Sequence, residues 1–138
     1  MKFSISKTQI ILVVFMLIIE TIVDASPITK RQSGGSHSGD GTYFNPGLGA
    51  CGEQDNDSSM IVALAAPDFD PSTPNGNPNK NTLCGRGIRI YYNGKSVDGK
   101  VTDRCPECKS GDVDMSPAMF DTIADPSQGR IPITWDFI

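Results

Sequence analysis

Four cysteines, a single histidine and scattered carboxylates are the groups of this 138-residue chain whose chemistry reaches furthest. The cysteines are Cys51, Cys84, Cys105 and Cys108. An even count in a small domain reads as two disulfides, with three pairings open. The same thiolates could hold zinc, but such sites use two close pairs, and only Cys105-Pro106-Glu107-Cys108 is one. A thioredoxin-type role for that pair needs a helix that starts at the motif, whereas Lys109-Ser110-Gly111 reads as a turn. The lone His37 lies in a Gly/Ser-rich stretch and reads as an exposed tail residue. With no second histidine, a nucleophilic triad has no base. No metal or cofactor is expected. Asn56-Asp57-Ser58 is an N-glycosylation sequon, which places Asn56 on the surface.

The disulfide reading requires an oxidising compartment, and the N-terminus agrees. Lys2 and Lys7 precede an apolar run from Ile10 to Ile19, which Glu20 interrupts. Such a run is too short for a bilayer, which needs about 20 residues, but it suits a secretory signal. Val23-Asp24-Ala25 offers small residues at −3 and −1, so residues 1–25 are expected to be a signal peptide cleaved after Ala25. Lys30-Arg31 is a dibasic pair in a segment without apolar pattern, a candidate for a second cut. Residues 26–39 thus read as a propeptide and flexible tail. The expected location is extracellular, with no membrane contact once the signal is gone.

Charge narrows the partners. The whole chain carries 12 basic and 16 acidic residues, net −4. Removing residues 1–31 leaves 8 basic and 14 acidic residues, net −6. Such a chain does not neutralise phosphates, so a nucleic-acid partner is excluded.

The elements that must position these groups are short. Fourteen glycines and ten prolines favour strands and turns over long helices. Thr42-Tyr43-Phe44 reads as a strand stopped by Asn45-Pro46-Gly47, and Met60–Ala66 as an apolar strand ended by Pro67. Residues 67–82, rich in Pro and Asn, read as a long surface loop. Ile88, Ile90 and Tyr92 alternate with Arg89 and Tyr91, and Asn93-Gly94 turns the chain back through Val97 and Val101. Ser116-Pro117 reads as a helix N-cap and first position, followed by Met119, Phe120, Ile123 and Ala124 on one face. Asp125-Pro126 stops it. Ile131, Ile133, Trp135 and Phe137 share one side of a closing strand, with Trp135 in the core. Six short strands and one helix suit a small closed barrel, although periodicity alone leaves barrel and sandwich undecided.

Four motifs in order carry a resemblance. Gly41-Thr42-Tyr43-Phe44-Asn45-Pro46-Gly47-Leu48-Gly49-Ala50-Cys51-Gly52, Val101-Thr102-Asp103-Arg104-Cys105-Pro106-Glu107-Cys108, Asp112–Phe120 and the final Ile-x-Ile-x-Trp strand resemble the double-psi β-barrel family. That family includes the first domain of expansins, family 45 endoglucanases, barwin-like proteins, rare lipoprotein A domains and small secreted papain inhibitors. The papain inhibitors and small fungal expansin-like proteins look most similar. The resemblance implies an all-β, six-stranded double-psi barrel with one short helix over residues 40–138. It also implies the pair Cys51–Cys84, and short sequence distance then suggests Cys105–Cys108.

Carried over by position, the resemblance implies a cleft that holds Thr42, Asp103 and Asp114; Tyr43 is added to it as an aromatic expected to be exposed for ligand contact. Phe69 and Tyr91 are the other aromatics expected to be exposed. The aromatic that follows the Val-Thr-Asp motif in bacterial expansins is replaced by Cys105, and the second expansin domain is not matched. Asp114 matches the acid of family 45 enzymes, but the base position near the opening strand holds Thr42. No catalytic residue is therefore assigned, and glycoside hydrolysis is not expected. The expected function is a secreted, monomeric, non-catalytic barrel that binds or loosens cell-wall polysaccharide. The alternative is a module that binds a target protein, such as a papain-type protease inhibitor.

Overall fold

A computed structural model describes residues 35–138. The signal-peptide, dibasic-site and propeptide readings for residues 1–34 lie outside the described residues. Six strands run β1 (His37–Tyr43), β2 (Ile61–Ala65), β3 (Gly87–Tyr92), β4 (Lys95–Cys105), β5 (Val113–Met115) and β6 (Ile131–Phe137). They close into a barrel in the order β1-β5-β2-β4-β3-β6. The sheet is mixed: β1 pairs β5 and β2 pairs β4 in parallel, and the other four pairings are antiparallel. Closure leaves no strand edge open along the sheet.

Alternation builds the core. Val62 and Leu64, Ile88 and Ile90, Val97 and Val101, Val113 and Met115, and Ile131, Ile133 and Trp135 are all buried. Strand β2 is buried along its whole length, as a strand flanked on both sides and covered on both faces should be. Its inward positions are the large Val62 and Leu64, while Ala63 and Ala65 occupy the other face. The hairpin forms as the Asn-Gly pair dictates: Asn93 and Gly94 both have positive φ, at 47° and 79°, as a type I′ turn requires. The helix α2 (Pro117–Ile123) starts at Ser116, whose hydroxyl accepts from the Met119 amide, and it buries Met119, Phe120 and Ile123.

Three expectations change. The flexible stretch through residue 39 gives way to β1, which already pairs with β6 from His37↔Trp135 onward. The glycines there serve close approach, not mobility: a Cβ on Gly41 would come within 2.8 Å of Met115 and 2.9 Å of Ile133. His37 is exposed but not on a loose tail, since its ring stacks on Trp135 at 4.0 Å with a 9° interplanar angle. Trp135 itself is buried, and its indole N–H donates to the Gly111 carbonyl.

Residues 67–82 are the third case. They contain the end of a four-residue helix, α1 (Ala66–Phe69), and 3-10 turns at Asp70–Ser72, Pro74–Gly76 and Pro78–Lys80. Phe69, expected outside, is fully buried. Asn81 is buried as well and fully used: its amide donates to the Phe69 carbonyl and to Thr73 Oγ1, and its Oδ1 accepts from the Leu83 amide, each at 2.7 Å. Propensity reads this Pro/Asn-rich segment as loop because its order comes from one aromatic anchor and one polar anchor, with no periodicity.

The disulfides are Cys51–Cys84 and Cys105–Cys108, and no described cysteine is free. The first ties the segment after β1 to the turn before β3. The second closes the loop that leaves β4.

Candidate functional site

Strand register brings the three cleft residues together. Thr42 on β1 pairs with Asp114 on β5, Asp114 pairs with Ala63 on β2, and Ala63 pairs with Asp103 on β4. Paired residues share a face, so Thr42, Asp114, Ala63 and Asp103 form one row across four strands. The two carboxylates stand two strands apart, about 10 Å between backbones at the usual interstrand spacing. Ala63 between them is small enough to leave the floor open.

A bulge sets the row. Val62 pairs with Val101, but the next residue, Ala63, pairs with Asp103, so Thr102 is the extra residue. Strict alternation would send Asp103 to the core side with Val97 and Val101. The bulge re-aims it to the outer face. Thr102 is buried beneath the segment after β1, where its carbonyl accepts from the Cys51 amide.

Each carboxylate is wired differently. Asp114 Oδ1 accepts from the Thr42 hydroxyl at 2.8 Å. Burial raises the Asp114 pKa above the usual carboxylate range; the Thr42 hydrogen bond and the Arg130 charge pull it back, and the Asp103 charge adds to the rise. Asp103 Oδ1 accepts two backbone amides, from Ala50 and Arg104, both at 2.8 Å. Asp103 therefore holds the Gly47–Cys51 segment against β4 as well as facing the cleft.

The cleft itself is a cavity of about 220 Å³ lined by both carboxylates, Ala63, Phe44 and the Arg104–Glu107 segment. Phe44, Arg104, Pro106 and Glu107 are wall residues that the sequence did not single out. Three of them lie inside the Asp-Arg-Cys-Pro-Glu-Cys motif, whose aspartate and cysteines carry the sequence reading. Arg104 is clamped by Asp70 through two hydrogen bonds of 2.6 and 2.8 Å, and that contact holds the Asp70 carboxyl below the usual range. The disulfide loop is braced from α1: Asp68 accepts from the Ser110 hydroxyl and the Gly111 amide.

Tyr43 does not join the row. Neighbours along a strand face opposite ways, and Tyr43 packs on Phe120 at 4.8 Å while its hydroxyl donates to the Pro126 carbonyl. The cleft aromatic is Phe44. Tyr91 is half-buried on β3, outside the cavity wall. Asn56 is exposed, and its Oδ1 accepts from the Ser58 amide. Among the described residues, no group of three His, Cys, Asp or Glu is placed to hold a metal ion.

A closed six-stranded barrel with two parallel pairs and an acidic row on its outer face belongs to the double-psi barrel class, and comparison with known proteins agrees. The family profile DPBB_1, described as lytic transglycolase, matches residues 36–135, so the chain belongs to that family. It is 37% identical to the papain inhibitor of Streptomyces mobaraensis over 99 residues, which are 70% of this chain and 66% of the relative. It is 32% identical to the allergen Asp f 7 homolog of Arthroderma benhamiae over 89 residues, 64% of this chain and 29% of that protein. The chain thus spans just under two thirds of the first relative and less than a third of the second. Among solved structures, the Streptomyces papain inhibitor superposes with a TM-score of 0.66 at 37% identity, over 73% of this chain and 92% of the inhibitor. A Clavibacter michiganensis expansin mutant in complex with cellohexaose superposes with a TM-score of 0.62 at 22% identity, over 74% of this chain and 50% of the expansin. At that identity the expansin likeness speaks for the fold alone.

Proposed function

We propose that this is a secreted, non-catalytic barrel that binds cell-wall polysaccharide in the cleft. The observation that carries the reading is the Thr42–Asp114–Ala63–Asp103 row. It sets two carboxylates around a small-residue floor, with the Thr42 hydroxyl bonded to one of them, and sugar hydroxyls can donate to such acceptors. The wiring speaks against inverting hydrolysis. Inverting hydrolysis needs an acid and a free base on opposite sides of the scissile bond. Burial raises the Asp114 pKa, as suits an acid, while Asp103 across from it is anchored through Oδ1 to the Ala50 and Arg104 amides. His37 lies five residues up β1 from Thr42, about 17 Å away at strand rise, and is stacked on Trp135. Retention of the mature domain on insoluble cellulose, chitin or β-glucan without release of reducing ends is the expected result. Flow-through on all three, or reducing ends lost in Asp114→Asn, overturns it.

A second reading rests on one observation, the 37% identity to a papain inhibitor along 99 residues. On that reading the partner is a papain-type cysteine protease. Dose-dependent slowing of papain by the same sample, with no retention on the three polysaccharides, would establish it in place of the first.

Secretion enters both readings as a proposal. Two disulfides suit an oxidising compartment, and N-terminal sequencing of secreted material is expected to start at Ser26 or Gln32. Asn56 is the proposed glycan site, to be read as a mass loss on enzymatic deglycosylation.

A further inference from the structure

Arg104 lines the cleft already described and also, with Asp70, Thr73, Gly76 and Pro78, a second cavity of about 390 Å³. Building on the polysaccharide reading, we infer that the two cavities form one groove for an extended, uncharged glycan chain, with the 70–78 turns as a second subsite that a chain reaches by passing over Arg104.

Three observations support this. The second cavity is the larger of the two, so the cleft accounts for the smaller part of the groove. Its walls are held in place: Asp70 grips Arg104 through two hydrogen bonds, and Thr73 Oγ1 accepts from the buried Asn81 amide. A wall tethered to β4 and to a buried side chain does not have to be ordered when ligand arrives, which limits the entropy lost on binding. Finally, Gly76 faces open space, with nothing within 4 Å of where its Cβ would stand.

The charge pattern selects the ligand. Arg104 is the cation of the groove, and Asp70 already neutralises it; Asp103, Asp114 and Glu107 remain as carboxyl groups. A chain bearing carboxylates, such as a uronate polymer, meets repulsion along the groove. A neutral chain finds acceptors at one end and the Thr73 hydroxyl and apolar Pro78 ring at the other.

Chain length is the test. Calorimetric titration with cellotriose and cellohexaose, chitotriose and chitohexaose, and hexagalacturonate reads affinity against length and charge. Gly76→Asn adds a side chain to the lining of the second cavity in a residue that tolerates its φ of +67°, and Pro78→Ala trims another lining residue. Melting temperatures check that both variants fold, and two positions guard against failure of either. In the wild type, a neutral hexamer is expected to bind about tenfold more tightly than its trimer, the gain from one or two added hydrogen bonds. In the variants that ratio should fall towards one while trimer affinity stays. Hexagalacturonate should not bind. A wild-type ratio near one, a ratio that survives in both folded variants, or hexagalacturonate binding as tight as the neutral hexamers overturns the inference and leaves trimer binding standing. If no neutral oligomer binds, the polysaccharide reading fails and this inference fails with it.

Discussion

The β3–β4 hairpin and the cleft row lie on the same barrel and share strand β4, yet they are specified in opposite ways. The hairpin is local. Asn93 and Gly94 adopt the positive φ angles their types allow, and the pairs from Tyr92↔Lys95 to Gly87↔Lys100 follow without interruption. The row is assembled from four strands whose residues stand up to 72 positions apart, through parallel pairings and a bulge at Thr102. The candidate site sits on the region that local sequence specifies least. That region is held by cross-links the hairpin does without: the Cys51–Cys84 bridge, the Asp103 amide contacts and the Asp68 brace.

The largest test of this contrast is removal of a bridge. Replacing both Cys51 and Cys84 by Ala is expected to cost about 4 kcal/mol in urea unfolding, and the pair Cys105/Cys108 about 2 kcal/mol, by loop entropy. Equal costs would mean that the long bridge does not restrain the cleft side. Next, Asp103→Ala leaves the Ala50 and Arg104 amides without their acceptor and should cost about 1–3 kcal/mol. Asp103→Asn, which keeps an acceptor, should restore most of it; no recovery would assign the loss to charge instead. In the hairpin, Gly94→Ala forces a Cβ into left-handed backbone and should cost about 1–2 kcal/mol with ligand retention unchanged. A fall in retention would show that the two regions are coupled.

A single proton gives a finer test. Because burial raises the Asp114 pKa, the folded state holds a proton that the unfolded chain releases at lower pH. That contribution is complete below the ordinary aspartate range and is lost as pH rises through the raised value. Asp114→Asn should therefore gain on the wild type in melting temperature as pH rises from the ordinary range towards neutral. A gap that stays constant with pH contradicts the shift. Smallest of all, Asp98→Ala breaks an exposed ion pair with Arg89 on the hairpin and should change stability by less than about 1 kcal/mol.

Much of the fold could be read in the sequence where local chemistry decides. The Asn-Gly turn, the Ser116-Pro117 helix start and the Ile131–Trp135 alternation all appear where those residues place them. The start of β1 could not be read that way. His-Ser-Gly-Asp-Gly has linker composition, and it is a strand because β6 and β5 need thin neighbours. For the candidate site, Thr42, Asp103 and Asp114 came from resemblance, and the register unites them. Tyr43 is exposed, as expected, but strand parity turns it away from the row and onto Phe120. Phe44 and Arg104 were missed because a wall residue has no periodic signature; it is defined by what folds opposite it. The bulge that turns Asp103 outward has no signal in Val-Thr-Asp either.

On the proposed function, the four-strand row binds a glycan chain and does not cut it. The most direct measurement of this is an adsorption isotherm on the polysaccharide that retains the domain, for wild type and Asp114→Ala, with reducing ends counted in the same tubes and folding checked by melting. Retention of the variant is expected to be about tenfold weaker, the worth of one or two hydrogen bonds, with no reducing ends from either protein. Equal retention of the two proteins, or reducing ends that the wild type releases and the variant does not, would contradict it.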